Sequence, residues 1–264
     1  MFLINSFKSF WLTIYCQIKS LFGKRRMEID KTIRKWLILL GAELERVGAI
    51  SEKSDAQKCI YDYCLLIKIM VSEYSICILE LSNENKELPA RVLLRTLAEL
   101  VIKFSWCMYE AHKDKSSFLT NCERWTKSSL MEKQKFNKRA SECFNDKEIE
   151  QNLKECQDDI NNTLINIRNM PDNAQLCKDL FGKKGGLYYL ILFGSLHEVV
   201  HSNLTFLQRL GVTDKNNLVS YDNGNIVIKP MCMACVFLLL KHIYQFYQID
   251  LTAIESEYSR LKDK

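Results

Sequence analysis

Proline, glycine and histidine are all scarce in this chain of 264 residues, which holds three prolines, nine glycines and four histidines. An all-β architecture needs a turn signal about every 8–12 residues. Pro89, Pro171, Pro230 and nine glycines cannot supply it, so long helices are favoured. Internal repeats and low-complexity linkers are absent as well. So is a secretory cleavage pattern, and the cysteine count is odd at 11. Scattered, odd-numbered cysteines inside helical patterns exclude a disulfide scaffold and fit reduced thiols that act mostly as small buried apolar residues. Strong charge of one sign is missing too. A net charge of +5 permits weak attraction to nucleic acid or anionic lipid and demands neither.

What the chain does have is apolar residues, at 47%, together with 26% charged residues. That is enough for a sizeable core in one large domain, or in a domain with an appended segment. The expected fold class is all-α: a multi-helix bundle with an amphipathic N-terminal helix and one small β-hairpin. Residues 1–26 form the appended amphipathic helix with its basic end, and 27–264 a single helical domain. In residues 2–22, Leu3, Ile4, Phe7, Phe10, Trp11, Ile14, Ile18 and Leu21 recur at helical spacing. Lys8 and Lys19 make this a poor spanning segment, and Lys24-Arg25-Arg26 follows it. The aromatic face suits either docking on the protein or a membrane interface.

Further helices are expected at about 29–48, 55–83, 88–112, 115–143, 146–169, 173–181, 187–209 and 231–262. Asp55, Asp114, Asp146 and Asp172 stand where N-caps or first turns belong. Pro89 suits the first turn of the helix it opens. Leu218 to Ile228 reads as the hairpin, turning on Asn223-Gly224. From about 121 to 160 apolar periodicity thins out, which predicts long protruding or partner-contacting helices.

Two constellations carry candidate chemistry. Arg91, Arg95 and Glu99 are spaced four apart, so they line one face of a strongly apolar helix. Arginine ahead of glutamate is the weaker order for a pair within one helix. Burying these charges requires partners, and partners on another helix or a ligand are therefore expected. The second constellation is His197-Glu198-Val199-Val200-His201, followed by Asn203. His-Glu-x-x-His is the zinc-protease signature, with two imidazoles on the metal and the glutamate as general base. A downstream third histidine is lacking, and Asn203 falls where such motifs carry an apolar residue. Glu198-x-x-His201 is also half of a di-iron site, but neither His112 nor His242 completes the second half. Cys232-x-x-Cys235 opens a long apolar helix and reads as core packing. Gly182-Lys183-Lys184-Gly185-Gly186 reads as a solvated turn, with anion binding at a helix N-terminus as its alternative.

Taken together, Arg95-x-x-x-Glu99, a long polar middle, Tyr188-Tyr189, Ser195 and His201-Ser202 resemble a family of bacterial all-helical proteins known only as a domain of unknown function. The resemblance covers about residues 55–210. It implies that Arg95, Glu99 and His201 meet in space, and it does not imply the zinc signature. Some members are similar to helical ribonuclease toxins of bacterial defence systems, whose Arg-x(4–6)-His motif within one helix is absent here.

Three functional classes follow. The first is a metal-independent, nuclease-like toxin effector. In it an arginine (Arg95, with Arg91 beside it) stabilises phosphoryl charge, His201 acts as general acid or base, Glu99 orients it, and Asn203 stands nearby. The second is a zinc-dependent hydrolase with His197 and His201 on the metal and Glu198 as base. The third is a non-enzymatic sensor or partner-binding protein. No cofactor is expected outside the zinc reading. The partners left open are a protein or a second copy, RNA or a nucleotide, and a membrane surface through residues 2–26. A cytoplasmic location fits, with the inner face of the membrane as its variant.

Overall fold

The structure is a computed structural model that describes residues 26–49, 55–84, 86–111, 114–143, 147–162, 164–189, 193 and 225–262. Every regular element among the described residues is helical, and the α-helices are α1 (Arg26–Gly48), α2 (Asp55–Asn83), α3 (Glu87–Ala111), α4 (Lys115–Cys143), α5 (Lys147–Asn162), α6 (Asn173–Phe181), α7 (Gly185–Tyr189), α8 (Asn225–Phe246) and α9 (Thr252–Lys262). The expected all-α bundle is therefore the fold. The amphipathic segment 2–22 lies outside the described residues.

Helix α3 is the centre of the bundle, packed by α2, α4, α6 and α8. Its sequence explains the position. Ala90, Leu94, Leu97, Ala98, Val101, Phe104, Cys107 and Met108 recur at three- and four-residue steps and are fully buried. Phe104 meets Phe118 of α4 edge to face at 6.2 Å between ring centres, and Tyr63 of α2 meets the same ring at 5.6 Å. On the other side Trp36 of α1 lies 6.1 Å from Phe237 and 6.3 Å from Tyr258, which themselves stack at 4.0 Å. The Trp36 indole donates to Glu257 at 2.8 Å, so α9 is fixed to α1 by packing and by a directed hydrogen bond.

Where α1, α2 and α8 converge, a buried cation ties them together. Lys229 Nζ lies 2.8 Å from an Asp30 carboxylate oxygen and donates to Asn83 Oδ1 at 2.6 Å. Such a pair offsets its desolvation only through this close geometry.

Three expectations need correction. Ile226-Val227-Ile228, taken above as the second strand of a hairpin, is the first turn of α8. An apolar β-branched triplet suits a strand or a buried helix equally, and here the apolar run continues to Leu240, which is helix length. The single helix expected over 231–262 is two helices. Its break is a left-handed residue, Gln248 at φ 55°, flanked by Ile249 N–H to Tyr244 C=O at 2.8 Å and Gln248 N–H to Gln245 C=O at 3.2 Å. These are the two bonds of a Schellman stop, made without the usual glycine. Asp250 then starts α9 by accepting from Thr252 N–H at 2.9 Å and Thr252 Oγ1 at 2.7 Å. Helix α5 also ends earlier than expected, at Asn162, and residues 164–172 form an irregular connection.

The thin periodicity of 121–160 has its counterpart in a helical hairpin. Helix α5 packs mainly along α4. The seam runs through Gln134, which donates to Gln157, and through buried Asn137 and Cys156.

Candidate functional site

Arg91, Arg95 and Glu99 all lie on α3, and the structure gives each a different partner. Arg91 pairs with Glu87 at 3.7 Å, one turn earlier, with the Glu87 side chain 6% exposed. Glu99 pairs with Lys103 at 2.6 Å, one turn later. In both pairs the acid precedes the base by four residues, the favourable order along a helix. Among the described residues Arg91 and Glu99 thus find partners on α3 itself, and the meeting expected with the His201 segment lies outside the described residues. The signal for the α3 partners was in the sequence: Glu87 and Lys103 continue the four-residue spacing of the polar face.

Among the described residues Arg95 is the member of the row that reaches across. Its Nη1 donates to the Phe193 carbonyl oxygen at 3.0 Å, and its guanidinium carbon sits 4.4 Å from the centre of the Phe193 ring. A buried backbone carbonyl is satisfied and a buried ring gains a cation–π contact from the same side chain. Phe193 is 1% exposed and lies 5.5 Å from Tyr189 of α7. Arg95 therefore clamps the chain that follows α7 onto the central helix. His197, Glu198, His201 and Asn203 lie outside the described residues, so the expected meeting of Arg95 and Glu99 with His201 stops at Phe193. Among the described residues no group of three metal-ligating side chains is brought together.

Within the glycine-rich segment, Gly185 is the position that packing requires to be glycine. Gly182–Lys184 is one 3-10 turn, and Gly182 takes φ 55°. A Cβ on Gly185 would come within 2.4 Å of Lys178 Cα and 2.6 Å of the Cys177 carbonyl oxygen. Only glycine lets α7 approach α6 this closely, and Phe181 and Tyr188 stack at 4.2 Å across the turn. Close packing accounts for Gly185, while Gly182, Lys183, Lys184 and Gly186 are exposed, as the solvated-turn reading expects. Cys232 and Cys235 are core residues, as read from the sequence. Burial raises both thiols well above their ordinary range, Cys232 to about 12. A thiol held protonated is a poor nucleophile and a poor ligand.

A second polar assembly escaped the sequence reading. At the junction of α3, α4 and α6 a cleft of about 620 Å³ is lined by Trp106, Glu110, Asp114, Asn121, Arg124 and Asp179, among others. Trp106 Nε1 donates to Asp179 Oδ2 at 3.0 Å, and Gln175 Nε2 donates to Asp179 Oδ1 at 2.7 Å. The Arg124 guanidinium covers the Trp106 ring at 5.0 Å and donates to Asn121 Oδ1 at 3.2 Å and the Asn169 carbonyl at 3.3 Å. Asp114 caps α4, and hydrogen bonds from the Ser116 hydroxyl and backbone hold its carboxyl below the ordinary value. The assembly is a hydrogen-bonded polar wall of carboxylates, an amide and a guanidinium. Its residues come from helices separated by up to 73 positions, and no local spacing announces them.

A family model, described as a family of unknown function (DUF5677), matches residues 61–218. The chain belongs to this family. The match runs from within α2 through α7, with the Arg95 clamp and the Trp106 cleft inside it. The resemblance read from the motifs, over about residues 55–210, pointed to a family of this kind. No curated protein and no solved structure matches the chain. No helix among the described residues is long and apolar enough to cross a membrane.

Proposed function

We infer that this DUF5677 member is a helical partner-binding protein in which the Arg91/Arg95/Glu99 row is structural. One observation carries the reading: each of the three side chains is already engaged by the protein itself, Arg91 by Glu87, Glu99 by Lys103 and Arg95 by Phe193. A catalytic arginine has to present free donors where charge develops. Arg95 spends Nη1 on a backbone carbonyl and a face of its guanidinium on a ring.

A second reading, the metal-independent nuclease-like effector, draws support from the same contact. Phe193 lies four residues before His197 and eight before His201, so the clamp holds the chain just ahead of the histidines. Purified protein incubated with a labelled RNA separates the two. The binding reading expects intact RNA, unchanged in the His201→Ala variant. RNA cleavage that disappears in both His201→Ala and Arg95→Ala, at unchanged melting temperature, would overturn it in favour of the effector.

A further inference from the structure

The outer part of the α4–α5 hairpin sets exposed cations around an exposed aromatic ring. Phe136 on α4 is 70% exposed. Lys133 and Arg139 lie three residues to either side of it, on the same helical face, and Lys135 and Lys138 carry the charge further round the helix, away from the ring. All four cations are exposed, and among the described residues none is held in an ion pair. Two carboxylates, Glu132 and Glu142, share this stretch, so four cations outnumber them. The acidic helix α5 packs behind, along the Gln134 and Asn137 seam, and Phe136 is turned away from it.

We propose that this face of α4 binds single-stranded nucleic acid, with a base stacked on Phe136 and phosphates held by Lys133 and Arg139. This rests on the partner-binding reading and names the partner's chemistry. An exposed ring set among unpaired cations is what a strand of stacked bases and phosphates complements, and stacking is indifferent to sequence. An anionic membrane fits less well. Lipid insertion requires an apolar stripe, whereas Phe136 is the one strongly exposed large apolar residue of α4. Its neighbours on that face, Ser129, Glu132, Lys133, Arg139 and Ala140, include no other large apolar side chain.

The test is fluorescence anisotropy of labelled 12-nucleotide oligouridylate and oligothymidylate with the full chain, at two salt concentrations. The expected result is binding that weakens with salt and falls about tenfold or more in Phe136→Ala. Lys133→Glu/Arg139→Glu should lower it further and flatten the salt dependence, while Lys31→Glu on α1 changes little. These substitutions are at exposed positions, and circular dichroism checks that each variant is folded. Absence of binding, or binding that Phe136→Ala and the double variant leave intact, overturns the proposal. So does sedimentation with phosphatidylcholine vesicles containing phosphatidylserine that depends on Phe136 while the oligonucleotides do not bind. A dimer in light scattering that Phe136→Ala splits, again without oligonucleotide binding, has the same meaning. Cleavage of a probe whose binding needs Phe136 supports this face and overturns only the binding-without-catalysis reading.

Discussion

The α3 helix and the α4–α5 hairpin are both rich in charge, and they treat it in opposite ways. On α3 every member of the polar row has a partner: Glu87 with Arg91, Glu99 with Lys103, and Arg95 with Phe193. Because α3 is buried on most sides, an unpaired charge there is costly, and the sequence spaces acids and bases four apart to avoid one. On the outer face of α4, Lys133, Lys135, Lys138 and Arg139 go without ion pairs among the described residues, because water solvates them. Charge that is matched inside the fold holds the fold together. Charge left unmatched on the α4–α5 hairpin is available to something else.

Substitutions can sharpen that contrast, starting with the largest effect. Phe104, fully buried between α3 and α4, should lose about 3–5 kcal/mol of stability when replaced by alanine, read as a lower midpoint in urea. Asp30→Ala leaves Lys229 buried with only Asn83 beside it, and a loss of about 3 kcal/mol is expected. Equal stability in that variant would show that the cation is solvated after all.

Alkaline pH tests the same core by another route. Burial pushes the Cys64 and Cys232 thiols to about 12 from an ordinary 9.0. The unfolded chain therefore releases these protons first. Stability is retained below about pH 9 and declines as pH rises toward about 12. Urea unfolding at pH 8 and pH 10.5 should show the fall. The smallest effect belongs to the hairpin: Phe136→Ala should change stability by no more than about 0.5 kcal/mol. A large loss there would mean that the ring is packed and the two regions are alike.

The sequence made some of this legible and hid the rest for physical reasons. Helices α2, α4 and α6 lie where Asp55, Asp114 and Asp172 announced them, and Asp172 does accept from Gln175 N–H at 2.8 Å. Local signals of that kind act within one turn. The stop at Gln248 was missed because it uses glutamine where glycine is the usual sign, and Ile226-Val227-Ile228 was misread because β-branching alone does not separate strand from buried helix. In the site, the charged row was visible from its spacing, and its partners Glu87 and Lys103 were equally visible four residues away. The Arg95 contact with Phe193 joins positions 98 apart, as the Trp106–Asp179 pair joins distant helices. Such contacts exist only once the chain has folded.

The central claim is that Arg95 is a clamp, and urea unfolding of Arg95→Ala tests it most directly. Loss of the carbonyl hydrogen bond and the cation–π contact predicts a drop of about 2 kcal/mol, with Arg95→Lys recovering only part of it because ammonium lacks the planar face. Wild-type stability in Arg95→Ala would contradict the account and return this arginine to the candidates for catalysis.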